Sequence, residues 1–135
     1  MHNNITGAEL PAVLALAYLG DARHSLYVRM MLVRRGISKS AELNELSLRY
    51  VTAEAQAMAY ERIKDELTPV ECDVFRRAFN STHLNKPKHA KGKDYRTATG
   101  FEAVIGMLEW LGDGERIKYL LDKSYSEEDK NDSEN

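Results

Sequence analysis

Two carboxylates stand where apolar residues would be expected. Asp21 lies three residues after Tyr18 and four after Ala17, so at 3.6 residues per turn it shares a stripe with them. Glu102 sits in Phe101-Glu102-Ala103-Val104-Ile105-Gly106-Met107-Leu108, a run with few polar positions. An unpartnered carboxylate on an apolar face is costly, so each needs a partner. If the two meet across packed helices, they form a site for Mg²⁺, a hard cation that takes carboxylate oxygens and keeps several waters. Such an ion lowers the pKa of bound water and stabilises phosphoryl oxygens in an in-line displacement. Structural roles fit the same spacings. Thr99-Gly100-Phe101-Glu102 has the form of a capping box, and Asp21 has the reach to pair with an arginine or cap a neighbouring helix. Spacing alone leaves both explanations open.

Almost every segment that would position these residues reads as helix. Leu10, Leu14, Ala17, Tyr18, Leu26 and Met30 recur on one helical face, and Gly36 after Arg34 and Arg35 is a stop signal. A long first helix is expected from about Pro11 to Arg35. Gly20 interrupts it at a cost of ~1 kcal/mol relative to alanine, which calls for a reason such as the close approach of another backbone. Ser38 or Ser40 can cap a short helix to Leu48, and a further helix runs from about Thr52 to Leu67. Thr68-Pro69-Val70-Glu71 is a capping box with proline at the first helical position, opening a helix to about Asn80. Ser81 to Tyr95 contains Pro87 and Gly92 and no apolar periodicity, and reads as a loop. Phe101 to Leu111 is a strongly apolar helix ended by Gly112-Asp113-Gly114, and Glu115 to Lys123 a last short one. No run alternates with period two. The expected class is all-α: one helical bundle over residues 1–123, followed by an acidic, disordered tail over 124–135.

Composition bounds the rest. With 135 residues the chain has room for one core, and 43% apolar with 30% charged residues is an ordinary globular balance. The single cysteine, Cys72, cannot form an internal bridge, which fits a reduced cytosolic setting; it is expected to be a small buried residue rather than a nucleophile. His24, His83 and His89 lack zinc-ligand spacing, and His24 with Arg23 is expected at an exposed surface. Trp110 and Tyr119 are expected in the core or at a subunit interface. No secretory signal opens the chain, and its longest uncharged stretch, Leu10 to Gly20, is 11 residues against the ~20 of a membrane span. A cytoplasmic protein without membrane contact is expected. The net charge of −2 argues at first against nucleic acid. It is unevenly placed, however. Glu127 to Asn135 carries net −4, leaving +2 on the remainder, and Lys86, Lys88, Lys91, Lys93 and Arg96 cluster between His83 and Arg96 against one acid, Asp94.

Three motifs carry a resemblance. Leu14-Ala15-Leu16-Ala17-Tyr18-Leu19-Gly20-Asp21-Ala22, followed by Tyr27-Val28-Arg29, resembles the signature helix of the ribonuclease III fold. Tyr95-Arg96-Thr97-Ala98-Thr99-Gly100-Phe101-Glu102-Ala103-Val104-Ile105-Gly106 looks like its second metal-binding helix. Val51-Thr52-Ala53-Glu54-Ala55-Gln56-Ala57 resembles the middle helix of the Mini-ribonuclease III subfamily, a catalytic domain alone. The likeness runs from about Gly7 to Leu121.

The resemblance implies the ribonuclease III endonuclease-domain fold and a homodimeric, Mg²⁺-dependent endonuclease, with Mn²⁺ as a substitute, that cuts double-stranded RNA. In the subfamily the task is maturing the ends of the 23S ribosomal RNA precursor. Asp21 matches the catalytic aspartate and Glu102 the metal-binding glutamate. With no appended RNA-binding domain, the basic segment of Lys86, Lys88, Lys91, Lys93 and Arg96 is the candidate phosphate contact. Full-length ribonuclease III has further acids where this chain has Leu14, Ala17 and Thr99, replacements typical of the Mini subfamily that leave a sparser acidic shell. Ala78 and Phe79 depart from the glycine and arginine common there, which bears on any RNA contact from position 79. Two other readings stand beside this one: a catalytically silent RNA-binding scaffold of the same fold, and an all-α protein-interaction module.

Overall fold

The computed structural model describes residues 9–81 and 92–134, with side chains through residue 126. Among these it contains six α-helices and no strand: α1 Val13–Arg34, α2 Ser40–Val51, α3 Ala53–Ile63, α4 Pro69–Ser81, α5 Gly92–Trp110 and α6 Gly114–Glu134, with a 3-10 turn at Lys64–Glu66. The all-α expectation holds. No described helix is long and apolar enough to cross a membrane.

The bundle is organised around α5. It packs against α1, α3, α4 and α6 and is most extensively engaged with α1. Eleven consecutive or near-consecutive residues explain this: Thr97 to Phe101 and Ala103 to Leu108 are buried, so the helix is enclosed on nearly every side. The α1–α5 crossing depends on two glycines. A Cβ on Gly20 would collide with the Glu102 carbonyl oxygen and sit 2.8 Å from the Gly106 nitrogen. A Cβ on Gly106 would collide in turn with the Leu16 carbonyl. The helices therefore touch backbone to backbone, which is the reason for the costly glycine within α1.

Local signals account for the ends. The Thr68 box closes reciprocally, with the Thr68 amide donating to Glu71 Oε1 at 2.9 Å and the Glu71 amide to Thr68 Oγ1 at 3.1 Å. Glu71 is buried and also takes a two-pronged contact from Arg116 of α6, at 3.0 and 2.9 Å, which ties α4 to α6. Gly36 (φ 86°) and Gly112 (φ 77°) end α1 and α5 in the left-handed conformation. Thr52 caps α3, accepting from the Ala55 amide at 3.2 Å.

Several expectations are corrected. The buried face of α1 is Leu16, Ala17, Gly20, His24, Val28 and Leu32, whereas Leu14, Tyr18, Leu26 and Met30 are exposed. Apolar residues occupy both sides of this helix, so periodicity alone could not choose between them. α2 starts at Ser40 with no side-chain cap and runs to Val51, and α3 ends at Ile63 before the 3-10 turn. α5 begins at Gly92, so residues 92–95 are helical; residues 82–91 of the expected loop lie outside the described residues. The boundary drawn at residue 124 also shifts. α6 continues to Glu134, Ser124 and Tyr125 are buried, and the Tyr125 ring packs edge-on to Tyr50. Cys72 is exposed on α4; Trp110 and Tyr119 are exposed on the single chain, so of the two expected places, core and subunit interface, the core is ruled out. His24 is fully buried, with Nε2 2.5 Å from the Tyr125 hydroxyl, and burial lowers its pKa to about 4 despite the nearby Asp21 charge, so the imidazole is neutral at physiological pH.

The crossing gives opposing expectations for Gly20→Ala. Helix propensity alone would stabilise the protein by ~1 kcal/mol. Steric overlap with the α5 backbone should instead destabilise it by roughly 1–3 kcal/mol. A lower urea midpoint is the expected result; a higher one would mean that the helices do not touch here.

Candidate active site

Asp21 and Glu102 come together because of that crossing. Gly20 lies against the Glu102 carbonyl, so the residue after Gly20 is placed beside the Glu102 side chain. The two carboxyl groups are within hydrogen-bond contact. Asp21 is exposed at the edge of α1 and Glu102 is half-buried on α5. They line an open depression of about 340 Å³ with Leu14, Ala17, Tyr18, Tyr95 and Thr99. Neither structural alternative from the sequence is realised among the described residues. Thr99 lies inside α5, its hydroxyl donating to the Tyr95 carbonyl at 2.9 Å, so it caps nothing. The adjacent Arg23 is half-buried and pairs with Glu109 at 2.9 Å.

The electrostatics follow from this contact. Burial raises the Glu102 pKa to about 8, assisted by the hydrogen bond and charge of Asp21 and opposed by a hydrogen bond from Gln56. Two carboxylates this close repel unless something positive lies between them, and a proton on Glu102 meets that need at neutral pH. A divalent cation meets it better. The donor set fits one: two hard oxygen ligands at an open surface with room for water. No group of three or more His, Cys, Asp or Glu gathers among the described residues, so protein would supply only part of a six-coordinate shell.

One site residue was missed in the sequence. Gln56, on α3, is 3% exposed. Its Nε2 donates to the Val51 carbonyl at 3.0 Å and to Glu102 Oε2 at 3.3 Å. It lies within the Val51–Ala57 motif, but a lone amide in an alanine-rich stretch reads equally well as surface, so the motif gave it no role.

The basic segment is less fully placed. Lys86, Lys88 and Lys91 lie outside the described residues. Lys93 is exposed in the first turn of α5, beside a depression shared with Glu54, Glu61 and Asp94. Arg96 is half-buried; its Nε donates to the Phe79 carbonyl at 3.2 Å and its guanidinium lies 4.3 Å above the Phe79 ring. The Phe79 departure thus has a structural use, as a platform for Arg96.

The Ribonuclease III domain model matches residues 14–114 of this all-helical chain, which places it among the ribonuclease III-type endoribonucleases. The Mini-ribonuclease 3 of Symbiobacterium thermophilum is 42% identical over 108 residues, 80% of this chain and 83% of its own. That of Thermoanaerobacter sp. strain X514 is 40% identical over 82% of this chain and 78% of its own. A crystal structure of a Fusobacterium nucleatum protein superposes with a TM-score of 0.78 at 30% identity, covering 87% of this chain and 95% of that one. The chain belongs to the Mini-ribonuclease 3 family.

Proposed function

We propose that this endoribonuclease is Mg²⁺-dependent, with Mn²⁺ able to substitute, and that as a homodimer it cuts double-stranded RNA to mature the ends of the 23S ribosomal RNA precursor. The observation that carries the reading is the direct contact of the Asp21 and Glu102 carboxyl groups in an open cleft. Asp21 and Glu102 would hold the cation from opposite helices. Bound there, a divalent cation supplies polarisation of the phosphodiester and a water of lowered pKa. Leu14 and Ala17 offer no further ligand, and the Thr99 hydroxyl proton is committed to the Tyr95 carbonyl. Among the described residues, the two acids therefore carry the charge that lines the cleft. A shallow, open cleft suits the backbone of a duplex rather than an enclosed small substrate. Lys93 stands nine residues before Glu102 on the same helix, roughly 13 Å along its axis, within reach of neighbouring phosphates of one duplex. Lys86, Lys88, Lys91 and Arg96 complete the proposed phosphate-binding segment.

The dimer reading has its own support. Tyr18 is 84% exposed, and Leu26, Met30 and Val33 also lie open on α1. An apolar helix face of this kind is unusual on a monomer surface. A second copy, related by a two-fold axis, would cover it and would offer one cleft to each strand of a pseudo-two-fold duplex.

Cleavage of a long RNA duplex should require Mg²⁺ and stop on chelation. Asp21→Asn and Glu102→Gln should each lower cleavage beyond the ~10–100-fold typical of losing an outer-shell partner, while a gel shift shows duplex binding retained. Near-normal cleavage by either variant would remove that residue from the site. Run on the terminal stem of the 23S precursor and on an unrelated duplex of equal length, the same assay should give defined cuts only in the former; equal cutting of both would withdraw the ribosomal assignment. Replacing Lys86, Lys88, Lys91 and Lys93 by alanine should weaken duplex binding and flatten its salt dependence, since each lost phosphate contact lowers the slope by roughly one unit. An unchanged slope would place the contacts elsewhere. Leu26→Glu should convert the protein to a monomer in sedimentation; a dimer that persists would move the interface off α1.

A further inference from the structure

Among the described residues, Gln56 is the polar side chain that reaches the acidic pair from a third helix. It is almost wholly buried, and its two neighbours at the amide end, the Val51 carbonyl and Glu102 Oε2, both accept hydrogen bonds. Only the NH₂ end can face two acceptors, so chemistry assigns the orientation of the amide. The consequence is that Oε1 is buried with no partner among the described residues. A buried unsatisfied carbonyl is a cost that packing does not need, because methionine or leucine would fill the same space without it.

We propose that Gln56 is a positioning residue for metal binding, holding Glu102 Oε2 so that the remaining carboxylate oxygen is presented to the cation beside Asp21. The inference rests on the reading that Asp21 and Glu102 hold the cation. The Val51 carbonyl is what makes the clamp rigid. It lies at the end of α2, one residue before the Thr52 cap of α3, so the amide is tied to the α2–α3 junction at one side and to α5 at the other. A carboxylate anchored by one oxygen loses little rotamer freedom when a cation binds the other. Without the anchor, Glu102 would have to be ordered by the cation itself, and affinity would fall.

The test is equilibrium binding of Mn²⁺ alone, followed by electron paramagnetic resonance, on the wild type, Gln56→Met, Gln56→Asn and Glu102→Gln. Methionine keeps the volume and removes the donors; asparagine keeps the amide and is one methylene too short. Both should weaken Mn²⁺ binding by ~10–100-fold, the range seen for loss of an outer-shell partner. Both should also shift the Mg²⁺ concentration needed for half-maximal cleavage upward, with the KM for RNA unchanged. Glu102→Gln should leave the Mn²⁺ free, with the six-line resonance of the aqueous ion undiminished. Should Glu102→Gln bind Mn²⁺ like the wild type, the underlying site reading is wrong. Should it lose binding while both Gln56 variants keep wild-type affinity, the positioning role alone is overturned. Failure of both Gln56 variants to fold, judged by thermal melting, also overturns it, since Gln56 would then serve the core; if only the methionine variant fails, the asparagine variant decides.

Discussion

The backbone contact between α1 and α5 is the constraint on which the rest of the molecule depends. At Gly20 and Gly106 the two helices approach so closely that neither position has space for a Cβ. Side-chain packing usually keeps helix axes some 8–10 Å apart, and two glycines on facing surfaces remove that spacer. The approach brings short acidic side chains on the two helices into contact, where an ordinary separation would leave a gap. Asp21 follows Gly20 directly, and Glu102 supplies the carbonyl that Gly20 rests on. The same two residues that set the helix spacing therefore set the spacing of the carboxyl groups. Arg23–Glu109 links the two helices further along, and the enclosure of α5 by α3, α4 and α6 holds it against α1.

The site is asymmetric, and the asymmetry has a chemical use. Glu102 is drawn into the bundle, where burial favours its protonated form, while Asp21 stays at the solvent edge. A pair built this way resists carrying two negative charges until a cation arrives to neutralise them. Cation binding and loss of the Glu102 proton are thus linked. Gln56 works against burial, since a hydrogen bond donated to the carboxylate favours its charged form.

What the sequence disclosed was set by local chemistry. The capping box at Thr68 and the stop at Gly36 could be read because each rests on a few residue types at fixed spacing, whereas spacing left the meeting of Asp21 and Glu102 open and only the resemblance pointed to it. Gly20 could be read as an anomaly needing a second backbone, which is what it meets. Other features were hidden for physical reasons. The start of α5 at Gly92 carries no apolar stripe because its first turn, with exposed Lys93 and partly buried Asp94, precedes the buried run that begins at Thr97, and Thr99-Gly100 imitates a cap inside the helix. The outer face of α1 is as apolar as its inner face, so the stripe through Leu14, Tyr18, Leu26 and Met30 was assigned to the core when it is exposed. His24 and Cys72 exchange the burial that their types suggest: the imidazole meets the Tyr125 hydroxyl of α6 through Nε2, a contact across 101 residues, and the thiol falls on the outer side of α4. Gln56 stood within the Val51–Ala57 motif, but its role could not be seen without knowing that α3 lies beside Glu102.

The central claim is that the α1–α5 crossing builds a divalent-cation site from Asp21 and Glu102. Anomalous diffraction from a crystal of the protein grown with Mn²⁺ tests it most directly. The account predicts one strong peak per chain, bonded to an oxygen of Asp21 and an oxygen of Glu102, with Gln56 still on the other Glu102 oxygen. A peak held by other residues, or an Asp21–Glu102 pair left in contact with no ion in saturating Mn²⁺, would contradict it.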